Sequence, residues 1–214
     1  MTSQEPEKPA IEDTWPRPDY DPGPQKHVHA IGVIALTYAT LQSAMDRLFL
    51  DRANSEWAEK YYYMLSEETR SDAIKEVFKD DQGVVGAVGN LVKYFDWCRA
   101  CRNNLLHAES YPSGLVPFPD GALGLTKRLT KGSTESGYIA LTLEGLRGVA
   151  DRMRDGIVQC MKIHLFLRHR GRPEGVPEKY REYARSLPPH LSVPKPIVLA
   201  SSPRHLWAKG KATG

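Results

Sequence analysis

Proline is nearly missing from the middle of this chain. Of 16 prolines in 214 residues, six precede residue 25 and seven follow residue 172, and only Pro112, Pro117 and Pro119 lie between. Proline removes a backbone donor and breaks helix interiors, so residues 28–169 are free to form long helices and the two ends are not. Cysteine is also scarce, and three cannot make a disulfide framework. No run of apolar residues approaches the ~20 needed to cross a bilayer. The acidic, proline-rich start is the reverse of a signal peptide. These absences point to a cytoplasmic protein with no membrane association. The middle also lacks charge of one sign, with 17 basic and 17 acidic side chains in residues 28–169. Residues 1–27 carry −3 and residues 170–214 carry +6, which together make the overall +3. A uniformly basic nucleic-acid-binding domain is thereby excluded, but a basic C-terminal arm is present.

Three regions follow. Residues 1–27 have the composition of a disordered acidic arm. Residues 28–169 read as one helical domain. Residues 170–214 form a basic proline-rich tail with one short helix candidate, Pro177 to Ser186, and an otherwise extended or disordered composition. Within the domain, Ile31, Ile34, Tyr38, Leu41, Met45 and Leu48 recur at helical spacing and predict a helix over Val28–Arg52. Shorter helices are predicted from Ser55 to Leu65 and from Glu67 to Asp80. A long one spans Val84–Leu106, where Gly86 and Gly89 suggest close approach of another backbone. Two strands near Leu123–Leu129 and Tyr138–Leu143 flank a K-G-S-T-E-S-G tip. Thr142 caps a last long helix to His169, with Leu146, Val149, Met153, Ile157, Cys160, His164 and Leu167 on one face. The fold class is all-α, an up-down helical bundle with a small β-hairpin before its last long helix.

The segment Arg102-Asn103-Asn104-Leu105-Leu106-His107 closes the Val84–Leu106 helix. It gathers a permanent cation, two amides and a histidine. Arginine clamps phosphate bidentately, and histidine is the side chain suited to proton transfer at physiological pH. Together they suit RNA cleavage, in which a base takes the ribose 2′-OH proton while a cation stabilises the phosphate. Positions five apart on a helix differ by about 140°. Arg102 and His107 therefore share a site only if the helix ends near Leu106 or a second subunit contributes. The competing reading is a plain helix C-terminus, where Arg and His meet the dipole favourably.

R-N-N-L-L-H resembles the R-x4–6-H motif of the HEPN (higher eukaryotes and prokaryotes nucleotide-binding) superfamily. The surrounding order of long helices fits over residues 28–169. The resemblance implies a HEPN-like bundle and a metal-independent endoribonuclease, in a class rich in toxins and phage-defence effectors. It implies a shared Arg/His site at a homodimer interface, with Arg102, Asn103 and His107 as the catalytic residues and no cofactor. RNA is the implied partner, together with an antitoxin or regulatory protein. The family also contains non-catalytic modules that bind RNA, nucleotide or protein, and that alternative stays open. So does a helical interaction protein in which Arg102 and His107 only finish a helix.

Other motifs are weaker. Trp97-Cys98-Arg99-Ala100-Cys101 has the W-C-x-x-C form, but a thioredoxin motif opens a helix and this one lies late in one. The same cysteines with Cys160 and His164 make a legitimate zinc set, although apolar helix faces favour core packing. Gly83, Gly86 and Gly89 match neither phosphate-loop fingerprint. The run Tyr61–Tyr63 suits base stacking or a half-buried helix face. Basic residues from Arg168 to Lys211 either strengthen RNA binding by counterion release or solubilise the tail.

Overall fold

A computed structural model describes residues 25–110, 122–129, 135–195, 197 and 199–200. Most of the acidic arm, the Ser110–Asp120 stretch beyond Ser110, the hairpin tip and residues 201–214 lie outside that set.

The chain is predominantly helical. Helix α1 (Gln25–Ala53) starts at Gln25 rather than Val28 and buries Ile34, Tyr38, Leu41, Met45 and Leu48 of the stripe its spacing predicts, leaving Ile31 half-buried. By length and composition it is also apolar enough to cross a membrane, with a mean hydropathy of 1.3 over its best window. Glycine, alanine and threonine between the larger residues hide that from a search for an unbroken apolar run, and the large apolar stripe packs within the bundle. Helices α2 (Glu56–Met64) and α3 (Glu67–Val77) follow, and the Ser66 hydroxyl caps α3 by accepting from Thr69 N–H at 3.2 Å. In α2, Tyr62 is buried and stacks on Phe49 at 4.2 Å, while Trp57, Tyr61 and Met64 are exposed.

Helix α4 spans Val85–Leu106 and α5 spans Leu143–His169, where the Thr142 hydroxyl accepts from Gly145 N–H. Between them lies a three-stranded antiparallel sheet in the order β1 (Glu109–Ser110), β2 (Ala122–Arg128), β3 (Ser136–Thr142). Its buried Leu123, Leu125, Ile139 and Leu141 join the helical core.

Side-chain partners fix the helix directions. Glu67 meets Arg102 and Ser71 meets Asp96, so α3 and α4 are antiparallel. Gly156 lies against Leu41, Cys160 against Met45 and His164 against Asp51, so α1 and α5 run parallel. Tyr38 meets Glu67 and Arg52 meets Val77, so α3 also runs parallel to α1, and α4 runs against α1, α3 and α5. The bundle end where α1 and α5 begin is the end where α4 finishes.

Close approach occurs at Gly156, not at Gly86 or Gly89. A Cβ at Gly156 would sit 3.1 Å from Leu41 and 3.4 Å from Tyr94, whereas nothing lies within 4 Å at Gly89 and only the tip of His190, at 4.0 Å, at Gly86. Three helices meet at Gly156. In the first turns of α4 it is Ala87 and Val88, not the glycines, that face the core.

The tail is extended but held down. The expected Pro177–Ser186 helix is a 3-10 turn, Glu178–Tyr180, running directly into α6 (Arg181–Arg185), and another 3-10 turn, Pro173–Gly175, precedes it. Beyond α6 the prolines keep the backbone extended and reduce its donors, and side chains of the bundle meet the remaining polar groups. Asn90 exchanges two hydrogen bonds with Leu191, at 3.0 and 2.9 Å. Gln159 donates to Pro189 O at 2.8 Å, and the Trp97 indole donates to Lys195 O at 3.1 Å. Ala200 bridges β3 at Tyr138. A Cβ at Gly137 would stand 2.7 Å from Leu199, so this crossing requires glycine.

Candidate functional site at the end of helix α4

The last two turns of α4 face three environments. Cys98, Cys101 and Leu105 are buried in the core, Arg102, Asn103 and Asn104 are half-buried, and Leu106 and His107 are exposed. The helix stops at Leu106. His107 is the C-cap, with its backbone N–H donating to Asn103 O at 3.3 Å. Its imidazole makes no hydrogen bond or ion pair among the described residues.

Arg102 points the other way, into the seam with α1 and α3. Its guanidinium lies 4.6 Å from the centroid of the Tyr38 ring. Nη2 pairs with Glu67 Oε1 at 2.9 Å and Nη1 donates to Asn103 Oδ1 at 2.6 Å. Tyr38 donates its hydroxyl to the other Glu67 oxygen at 3.4 Å. Burial, and then the Glu67 charge, push the Tyr38 hydroxyl well above its ordinary range, so it stays a neutral donor. Glu67 opens α3, where the helix dipole favours a carboxylate. Two of the five guanidinium donors are thus in use.

The polar seam continues beyond Arg102. Asp96 accepts from Ser71 at 2.9 Å and pairs with Arg99 at 3.2 Å, while the buried Arg99 Nη1 has no partner among the described residues. Tyr62 donates to Asp46 at 2.7 Å, and burial raises the Asp46 carboxyl above its usual range.

The hairpin supplies a second cation. Lys127 on β2 donates to Asn103 O at 3.3 Å and to Asn104 Oδ1 at 3.1 Å. It is delivered there because Glu109, two residues past His107, pairs with Thr126 across the β1–β2 ladder. A helix C-terminus carries about half a negative charge, and Lys127 offsets it.

The chain matches no family model, no curated protein and no solved structure. The site is therefore read from its geometry. That geometry places Asn103 against Arg102, and places Arg102 and His107 on different sides of the helix end within one chain. Glu67, Tyr38 and Lys127 complete the surroundings, and sequence reasoning missed all three. Glu67 was visible only as the first residue of a predicted helix, and Lys127 only as a polar position in a strand.

The cysteines are core residues. Cys98, Cys101 and Cys160 are buried and free, and burial pushes Cys101 and Cys160 up to about 12 and Cys98 further. Such thiols are poor nucleophiles at neutral pH. His164 pairs with Asp51 at 2.9 Å instead of joining them. Among the described residues, no group of three or more His, Cys, Asp or Glu side chains is placed to hold a metal ion.

Proposed function

We propose that this protein is a homodimeric, metal-independent endoribonuclease of HEPN type, acting in the cytoplasm as a toxin or phage-defence effector under the control of a protein partner. The observation that carries the reading is His107: exposed, without a hydrogen-bond or ion-pair partner among the described residues, and the C-cap of the helix whose last turns carry Arg102 and meet Lys127. Cleavage by 2′-OH attack needs one group to take the 2′ proton and another to protonate the departing 5′ oxygen. A two-fold axis at the α4 ends would supply two copies of His107 for those roles. The 2′ oxygen bonds to phosphorus, the 5′ oxygen leaves with a proton, and the products are a 2′,3′-cyclic phosphate and a 5′-hydroxyl. Arg102 stabilises charge on the phosphate through its three unused donors. Asn103 orients Arg102, and Lys127 removes the helix-end potential that would repel the phosphate.

The test is RNA cleavage in EDTA by the native protein and by Arg102→Ala and His107→Ala. The native protein cuts, and each variant loses about 10²-fold or more. No cleavage, or equal cleavage by all three, overturns the reading. The Arg102–Glu67 ion pair favours one alternative, a non-catalytic module that binds RNA, nucleotide or protein. Retained binding without turnover in the native protein would establish it.

A further inference from the structure

The bundle end that carries His107 has a second feature. Between the first turns of α1 and α5 lies an open groove of about 500 Å³. Lys26, His29 and Arg147 line it, over a floor that includes Ala30, Leu143 and Ala150. Among the described residues, none that lines the groove is acidic. Lys26, His29 and Arg147 are exposed and make no hydrogen bond or ion pair among the described residues. Because α1 and α5 are parallel, two helix N-termini open here, each worth about half a positive charge. The first turn of α1 contains no acidic residue, and Glu144, in the first turn of α5, stands outside the groove. With Glu144 counted, the sum is about two positive charges with histidine neutral.

We infer that this groove binds the sugar–phosphate backbone of single-stranded RNA and extends the proposed site at His107. Lys26 and Arg147 neutralise phosphates, His29 supplies a ring for hydrogen bonding or stacking, and the apolar floor takes a ribose or base face. The sheet links the two places. Thr142 at the α5 start ends the strand whose Gly137 lies opposite Lys127. Five residues of strand span about 17 Å, a reach of a few nucleotides. The inference rests on the proposed RNA-directed function and names where the strand lies.

The experiment measures binding of a labelled single-stranded RNA to the full chain over a salt series. The proteins are native, Lys26→Met/Arg147→Met, and Lys93→Met on the exposed face of α4. The double variant should bind about tenfold or more weakly at low salt. Its log affinity against log salt should flatten by about 1.4, the release expected for two single-strand phosphates. Lys93→Met should match the native protein. Equal slopes for native and double variant would overturn the inference, and so would a flatter slope for Lys93→Met alone. Displacement by polyglutamate as readily as by unlabelled RNA would assign the groove to an acidic polypeptide and overturn it too. If the native protein cuts RNA while the double variant keeps the native KM and slope, only this inference falls. If the native protein neither binds nor cuts RNA, the functional reading falls with it.

Discussion

The two ends of the α1–α5 seam carry similar side chains and opposite electrostatics. The far end has a groove of about 380 Å³ lined by Leu48, Asp51, Arg52, His164, Leu167, Arg168 and Arg170. Counted as residues, three arginines make it the more basic of the two. Their surroundings reverse that ranking. Asp51 holds His164 at 2.9 Å, Asp81 holds Arg170 at 2.9 Å, and Arg52 donates to the carbonyl of Val77 at the end of α3. Three helix C-termini meet there, and together they add about one and a half negative charges. Counted the same way, with Glu144 included beside the near groove, the far groove is close to neutral and the near groove carries about two positive charges. Parallel packing of α1 and α5 makes the difference, because aligned dipoles add at each end.

The largest test of that comparison strikes the seam both ends share. Gly156→Val puts branched methyls against Leu41 and Tyr94, and overpacking of this kind costs about 2–3 kcal/mol. Urea denaturation should show the loss, and RNA binding and thermal stability should fall together. Unchanged stability would mean that the two ends are not held by one packed seam. A smaller effect is expected from Glu67→Gln, which removes the charge facing Arg102. The pair is half-exposed, so stability should drop by only about 1 kcal/mol, while RNA affinity rises because Arg102 is no longer neutralised. Reduced affinity would show that Glu67 positions Arg102 productively. The smallest effect belongs to Asp51→Asn. Its pair with His164 is exposed enough that melting should move by less than about 0.5 kcal/mol. The same change makes the far groove net positive, so the RNA salt slope should steepen slightly. A large loss of stability would mark the Asp51–His164 pair as a structural clasp.

What the sequence made legible was local. The α1 stripe from Ile34 to Leu48 repeats every three or four positions, and that spacing is the burial itself. Thr142 marked a helix start because its hydroxyl meets the N–H three residues on, whereas Ser55 opens α2 with no side-chain cap and the cap of α3, Ser66, was not singled out. The partners of the Arg102–His107 motif were not legible. Glu67 is 35 positions from Arg102, and Lys127 is 24 from Asn103, so no spacing within a helix could pair them. Gly86 and Gly89 looked like contact points because glycine in a helix calls for compensation, yet the contact lies at Gly156, which nothing in its local pattern distinguished. Parallel packing of α1 and α5 was equally hidden, since it depends on how many segments intervene.

The tail that lies across α4 and α5 also sets a timetable. Asn90 reaches its partner Leu191 only after 101 further residues have been added. At about 5–20 residues per second of synthesis, Asn90 and Trp97 wait on the order of 5–20 s on the ribosome before the strap can close over them. During that interval a newly made chain presents an amide and an indole side by side on a helical surface, open to any extended proline-rich segment nearby.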